Sequence, residues 1–239
     1  MRILVIADVH SNWPALAAID EPFDACLFVG DLVDYGTNPV PCINWARQHV
    51  TAGVRGNHDH AIAQRVTARG GDGFRRLAAA TRPLHWDLID AAQLKYLARL
   101  PVTQHVELGG MNFFLVHATP RDPLDEYLSD DADAWSERLQ KVDADIVCVG
   151  HTHMQYHLEL GGKQLLNPGS VGQPRDGDAR AAYAIVEDGV VHLHRVEYDI
   201  DATLHQMQEI GIQAWAVNLT EEVLRTGGSL SREQMDRFR

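Results

Sequence analysis

Five short apolar runs in this chain each end on a cluster of residues that bind metals or move protons, and this repetition limits the fold more than any other feature. Ile6-Ala7 leads into Asp8-Val9-His10, and Phe28-Val29 into Gly30-Asp31-Leu32-Val33-Asp34. Val54-Arg55 leads into Gly56-Asn57-His58-Asp59, Leu115-Val116 into His117, and Cys148-Val149 into Gly150-His151-Thr152-His153. Runs of this length and β-branched content read as strands. In open α/β sheets, ligand sites lie beyond the carboxyl ends of the strands. If these strands are parallel neighbours, all the clusters meet at one rim.

The other elements suit that arrangement. Strands are expected at Arg2–Ala7, Ala25–Val29, Gly53–Arg55, Asn112–Val116, Asp145–Val149, Gln155–Leu160, Lys163–Leu166, Ala182–Glu187 and Val190–Val196. Asp188-Gly189 marks a tight hairpin between the last two. Helices are expected at Trp13–Ile19, capped by Ser11-Asn12, and at Pro39–His49, Ala91–Leu100 and Asp133–Val142. Further helices are expected near Leu204–Glu209 and Thr220–Arg225. After Gly227-Gly228, Ser231 with Gln234 forms a capping box for a final short helix. Strand–helix alternation early and hairpins late suggest sheets packed together with helices outside. The expected organisation is one domain over residues 1–200 and a helical C-terminal segment, 201–239, packed on it.

Composition removes several functions. The 239 residues carry a net charge of −12 with no Lys/Arg cluster, so stable binding of duplex nucleic acid is not expected. No apolar run approaches the ~20 residues of a membrane span, and the first apolar stretch ends on a carboxylate too early for a secretory signal. A cytoplasmic protein without membrane association is expected. Cys26, Cys42 and Cys148 are far apart, without metal-finger spacing, and read as buried reduced thiols.

The clustered residue types suit a two-metal centre built from Asp8, His10, Asp31, Asn57, His117, His151 and His153. Asp8 and His10 are two apart, as are His151 and His153, so an extended backbone would point each pair to one side. Mixed imidazole and carboxylate ligands suit two divalent ions, manganese first, with iron, zinc, nickel or cobalt as alternatives. Asp31 has two oxygens and can bridge two ions. Two carboxylates against two divalent ions leave a surplus of about +2, enough to draw a phosphate to an acidic chain.

In this order, the blocks Asp-x-His, Gly-Asp-x-x-Asp, Gly-Asn-His-Asp, His and Gly-His-Thr-His closely resemble the calcineurin-like metallophosphoesterase superfamily. The stretch from Asn167 to Asp176 looks like its small prokaryotic phosphodiesterase branch. The resemblance implies an α/β fold, a four-layer αββα sandwich of two mixed β-sheets flanked by helices. It implies that Asp8, His10 and His153 hold one metal, that Asn57, His117 and His151 hold the other, and that Asp31 bridges them. It further implies that His58 protonates the leaving oxygen or stabilises charge on phosphorus, that Asp59 orients His58, and that a metal-activated hydroxide attacks in line. Larger phosphoprotein phosphatases of this superfamily carry Arg after the second Asp of the second block. Here Asp34 is followed by Tyr35-Gly36, which argues against their activity.

Substrate contacts are expected from loops. Gly169 and Ser170 could line the site, Gly169-Ser170 otherwise being a plain turn. Arg121 and Arg175, each in a Pro-Arg-Asp triplet, could grip a phosphate with a bidentate fork; the alternative is a surface pair with the neighbouring Asp. Asp34 is either a support of the site or a turn residue. The expected activity is hydrolysis of a phosphodiester or phosphoanhydride in a small, nucleotide-like phosphorylated substrate. The competing reading is an inactive scaffold or binding module on the same fold. A metallo-β-lactamase centre is disfavoured because His151-Thr152-His153 is followed by Met154, not by the Asp-His pair that type requires.

Overall fold

The computed structural model describes residues 1–68 and 73–238. In chain order its elements are β1 (Arg2–Ile6), α1 (Trp13–Ala17), β2 (Ala25–Phe28), α2 (Pro39–His49), β3 (Ala52–Gly53), α3 (Asn57–Ala63), α4 (Gly73–Leu88), α5 (Ala91–Arg99), β4 (Thr103–Leu108) and β5 (Met111–Val116). There follow α6 (Ala132–Arg138), β6 (Ile146–Cys148), β7 (Gln155–Leu160), β8 (Lys163–Pro168), β9 (Ala181–Glu187), β10 (Val190–Val196), α7 (Ile200–Glu209), α8 (Ala214–Thr226) and α9 (Arg232–Asp236).

The strands form two five-stranded mixed sheets, ordered β10-β9-β1-β2-β3 and β4-β5-β6-β8-β7. In the first, β1, β2 and β3 are parallel, while β9 runs antiparallel to both β1 and β10. In the second, β5, β6 and β8 are parallel, and β4 and β7 pair antiparallel at the edges. The parallel strands are apolar on both faces because both faces are covered. Ile3, Val5, Leu27 and Val29 point at Phe113, Leu115, Ile146 and Leu166 of the facing sheet. Leu4, Ile6, Cys26 and Phe28 point outward, onto Leu16, Ile43, Ile62 and Leu97 of α1, α2, α3 and α5. The outer face of the second sheet packs on Trp135 and Leu139, in and after α6. The result is the expected four-layer sandwich.

Three elements were not expected from the sequence: the short helix α3, which starts at the Gly56-Asn57-His58-Asp59 cluster itself, strand β4 and helix α4. Strand β4 mixes polar residues with few apolar ones because it is a half-buried edge strand. Helix α4 carries Pro83 in its interior, which normally ends a helix. Elsewhere the local signals operate as expected. Asn12 Oδ1 accepts from Ala15 N, Asp188 and Gly189 turn at positive φ (50° and 81°), and Ser231 and Gln234 exchange hydrogen bonds. Cys26, Cys42 and Cys148 are buried and unpaired. Among the described residues, no helix is long and apolar enough to cross a membrane.

Leu27 is fully buried between the two sheets. Leu27→Ala should lower unfolding stability by about 2–5 kcal/mol, the range for buried Leu truncation. Chemical denaturation measures this; a loss below ~1 kcal/mol would mean the inter-sheet layer is not the core that holds the sheets together.

Candidate metal centre

The parallel strands of both sheets present their carboxyl ends at one rim. Asp8 follows β1, Asp31 follows β2, and Asn57 opens α3 just after β3. His117 follows β5, and His151 and His153 follow β6. The turn geometry differs from the expected extended backbone. Asp8, His10, Asp31, His151 and His153 all take left-handed φ values of 53°, 48°, 61°, 67° and 60°. Non-glycine residues adopt this region at a cost, and such strain concentrates at functional sites. The turn after β1 is held by the loop after β2: Asp8 N, His10 N and Ser11 N donate to the carbonyls of Gly30, Asp31 and Leu32 at 2.9, 3.1 and 2.9 Å.

The side chains gather in two groups whose ligand atoms lie within 4.8 Å of one another: Asp8, His10 and His153, and Asp31, His117 and His151. Asp31 Oδ2 reaches toward both, 3.2 Å from His117 Nε2 and 3.8 Å from His10 Nε2. Backbone carbonyls fix the rings. His10 Nδ1 donates to Val33 O (3.0 Å), His117 Nδ1 to Val29 O (2.8 Å) and His153 Nδ1 to Gln173 O (2.6 Å). A carbonyl only accepts, so each Nδ1 carries a proton and each Nε2 faces the centre, the arrangement usual for metal-ligating histidine.

The electrostatics suit cations. Burial pushes His10 and His151 down to about 3 and His153 well below its usual value, keeping these imidazoles neutral and their lone pairs free. His10 Nε2 and His153 Nε2 stand 3.2 Å apart. Two lone pairs at that separation repel, and a cation beside both turns the repulsion into binding. Burial also lowers His117, but Asp31 outweighs it and raises that ring to about 9, so this position favours positive charge. Asn57 Oδ1 and His117 Nε2 are buried without a hydrogen-bond partner. The donor set therefore fits divalent metal ions.

His58 lines the cavity beside this centre, and its support differs from expectation. Its Nδ1 donates to Asp34 Oδ2 at 2.7 Å. Asp34 also receives Arg82 Nε at 2.9 Å and Nη2 at 2.5 Å. Burial raises Asp34, but His58 and Arg82 outweigh it and hold the carboxyl below its ordinary range. Burial likewise lowers His58, while Asp31 and Asp34 outweigh it and leave the ring raised. Asp59 does not touch the imidazole. It accepts from the backbone N–H of Asp31 (2.8 Å), Leu32 (2.8 Å) and Gly56 (3.1 Å), and so ties the β2 turn to α3. Gly56 permits this approach, since a Cβ there would stand 2.0 Å from Asp31 Oδ1. The orienting role expected of Asp59 falls to Asp34.

The expected substrate contacts separate in the same way. A cavity of about 640 Å³ opens over the centre, lined by Tyr35, Arg75, Arg82, Asp125, Tyr127 and Arg175 besides the groups above. Arg175 belongs to it; Arg121 does not. Arg121 is exposed and pairs with Glu126, which also binds Arg138, so its charge is neutralised on the surface. Gly169 and Ser170 do not line the cavity either. Gly169 N donates to Asn167 Oδ1, and Ser170 Oγ donates to Asp8 O at 2.7 Å, bracing the Asp8 turn from behind. Arg82, Tyr35 and Tyr127 were missed. Arg82 hides in the unexpected helix α4, and nothing in the local pattern of the two tyrosines marks them.

The sequence model of the calcineurin-like phosphoesterase superfamily domain matches residues 1–188. The chain belongs to this family. An uncharacterized protein of Methanocaldococcus jannaschii is 31% identical over 238 residues, covering 89% of this chain and 94% of its own length. A crystal structure of a metallophosphoesterase from Sphaerobacter thermophilus superposes with a TM-score of 0.78 at 33% identity, covering 95% of this chain and 99% of that one. A hypothetical protein from Pyrococcus horikoshii shares the fold, with a TM-score of 0.80 at 19% identity over 96% of this chain and 99% of its own.

His58 and Asp59 should separate cleanly. Asp59→Ala strands three buried backbone donors and should cost at least ~2 kcal/mol of stability, with loss of bound metal. His58→Ala should keep both stability and metal content. Denaturation curves and elemental analysis of the purified variants decide this, and equal stability losses would refute the assignment.

Proposed function

We propose that this protein is a phosphoric ester hydrolase that uses two divalent metal ions. One ion would be held by Asp8, His10 and His153, the other by Asn57, His117 and His151, with Asp31 between them. The observation that carries this reading is the pair of ligand triads, both within reach of Asp31, at the floor of a cavity whose wall holds His58. Divalent ions supply Lewis-acid charge to a phosphoryl oxygen and a nucleophile at neutral pH.

The remaining roles belong to the chain's own groups. His58, with Nδ1–H committed to Asp34, would work through its other nitrogen, giving a proton to the leaving oxygen or a hydrogen bond to developing charge. The anionic Asp34 supports the positive form of the ring, and Arg82 fixes the carboxylate in turn. Arg175 would grip non-bridging oxygens. Where phosphoprotein phosphatases carry Arg after this Asp, Tyr35 instead packs its ring 4.5 Å from His10 and 4.6 Å from His58. The substrate we favour is a small nucleotide-like diester or anhydride. The cavity is of small-molecule size, and the exposed ring of Tyr127 stands at it, 5.1 Å from His151, as a face on which a base can stack. Manganese is the first candidate metal, and buried unpaired cysteines fit a reducing compartment such as the cytoplasm.

Chelator-stripped protein should lose hydrolysis of an aryl phosphodiester, and Mn²⁺ should restore it. His58→Ala should fall at least ~100-fold in kcat at full metal loading. A wild-type protein with two metals per chain and no activity on monoesters, diesters or dinucleoside polyphosphates would overturn the reading.

A further inference from the structure

The segment beyond the family match, from α7 onward, is bonded to the loops that form the rim of the cavity. Thr203 Oγ1 donates to Asn12 Oδ1 at 2.9 Å, and Asn12 Nδ2 donates on to Gly172 O at 2.9 Å. Asn38 donates to Gln206. Arg76 Nη1 of α4 donates to Phe238 O at 3.0 Å, and its guanidinium lies 4.1 Å over the Trp215 ring. Leu204, Met207, Leu219 and Val223 share an apolar cluster with Tyr35 and Leu77.

The closest joint is at the end of α8. Gly227 O accepts from Gly177 N at 2.9 Å. Gly227 and Gly228 both have positive φ (58° and 74°), and neither has room for a side chain. A Cβ on Gly227 would stand 2.4 Å from Asp178 N, and one on Gly228 would stand 2.7 Å from Arg175 Cα. The Gly227-Gly228 turn therefore lies flat against the backbone that carries Arg175.

Arg175 itself is aimed with care. Its N–H donates to His153 O at 3.1 Å, its Nη2 donates to Gln173 Oε1 at 2.6 Å, and its guanidinium sits 3.9 Å over the Phe74 ring. Its Nε is buried without a partner. The adjacent Asp176 is taken by Arg195, so among the described residues no carboxylate neutralises Arg175. A positive guanidinium lines the cavity, its Nε left unsatisfied by the protein, on a short segment pinned at one end by His153 and at the other by Gly227 at the end of α8.

We propose that α7 and α8, through the Gly227-Gly228 turn, position Arg175 as the oxyanion clamp of the cavity, which makes the C-terminal segment part of the phosphate-binding device. Arg175 is the group that meets the anion; Gly228 is a positioning residue that acts through it. The nature of the anion rests on the hydrolase reading above, whereas the placement rests on the contacts alone.

The test is a double-mutant cycle with full-length, metal-loaded protein. Arg175→Ala, Gly228→Ala and the double variant are compared for inorganic phosphate binding by calorimetry, for KM and kcat on an aryl phosphodiester, and for metal content. Arg175→Ala should weaken phosphate binding about tenfold or more, as loss of a charge-assisted fork does. Gly228→Ala should weaken it several-fold with metal content kept, and the double variant should bind no worse than Arg175→Ala alone. Gly162→Ala, at a positive-φ turn with open space around it, should leave binding unchanged. If Gly228→Ala does not fold, Gly177→Ala serves, because it strains φ +86° at the same joint without a clash. Losses that multiply in the double variant, or phosphate binding untouched by either glycine change, would overturn the proposal. Phosphate binding with the expected coupling but no hydrolysis of any ester would sink the hydrolase reading and leave the positioning role standing.

Discussion

Much of the site depends on one buried carboxylate that touches neither cavity nor proposed metal. Asp59 gathers the backbone N–H groups of Asp31, Leu32 and Gly56 onto its two oxygens. The first two donors lie in a turn that bends through left-handed φ at Asp31 and so cannot continue the sheet ladder, and the third lies at the N-terminus of α3, before the first helical hydrogen bond. Without an internal acceptor they would be stranded in the core, at a cost of about 1–3 kcal/mol each. With it, the turn after β2 is locked to the start of α3. Asp31, Asn57 and His58 then take fixed places relative to one another, and His58 N closes the loop by donating back to Asp31 Oδ1 at 2.9 Å.

Charge is arranged in opposition to the chain as a whole. The net charge is −12, yet the cavity wall carries Arg75, Arg82 and Arg175. These arginines do different work. Arg82 is spent on Asp34, in a buried pair that sets the ring of His58. Arg175 is held by an amide and an aromatic ring, contacts that orient a guanidinium without neutralising it.

The sheets and the clustering of the candidate ligands were legible in the sequence because both follow from short-range rules. An apolar run that ends on Asp-x-His or Gly-His-Thr-His announces a strand and its functional end together. The geometry of the turns was not legible: the spacing of Asp8 and His10 suggested an extended backbone, whereas both are left-handed and held by carbonyls of the next strand's loop. Partners distant in sequence were equally hidden. Asp59 adjoins His58 in the chain but serves the backbone, while Asp34, 24 positions away, takes the ring. Arg82 lies in a helix that Pro83 disguises. Arg121 and Arg175 sit in identical Pro-Arg-Asp triplets, and only the fold shows that Glu126 claims one and leaves the other to the cavity.

Each ligand triad draws from both sheets. Asp8 and His10 hang from the first sheet and His153 from the second; Asp31 hangs from the first, His117 and His151 from the second. A cation held by either triad is thus a rivet through the sandwich. The free energy of its binding adds to that of folding, growing with metal concentration over the dissociation constant. The persistence of the folded protein and its readiness for chemistry would then answer to the same supply of metal.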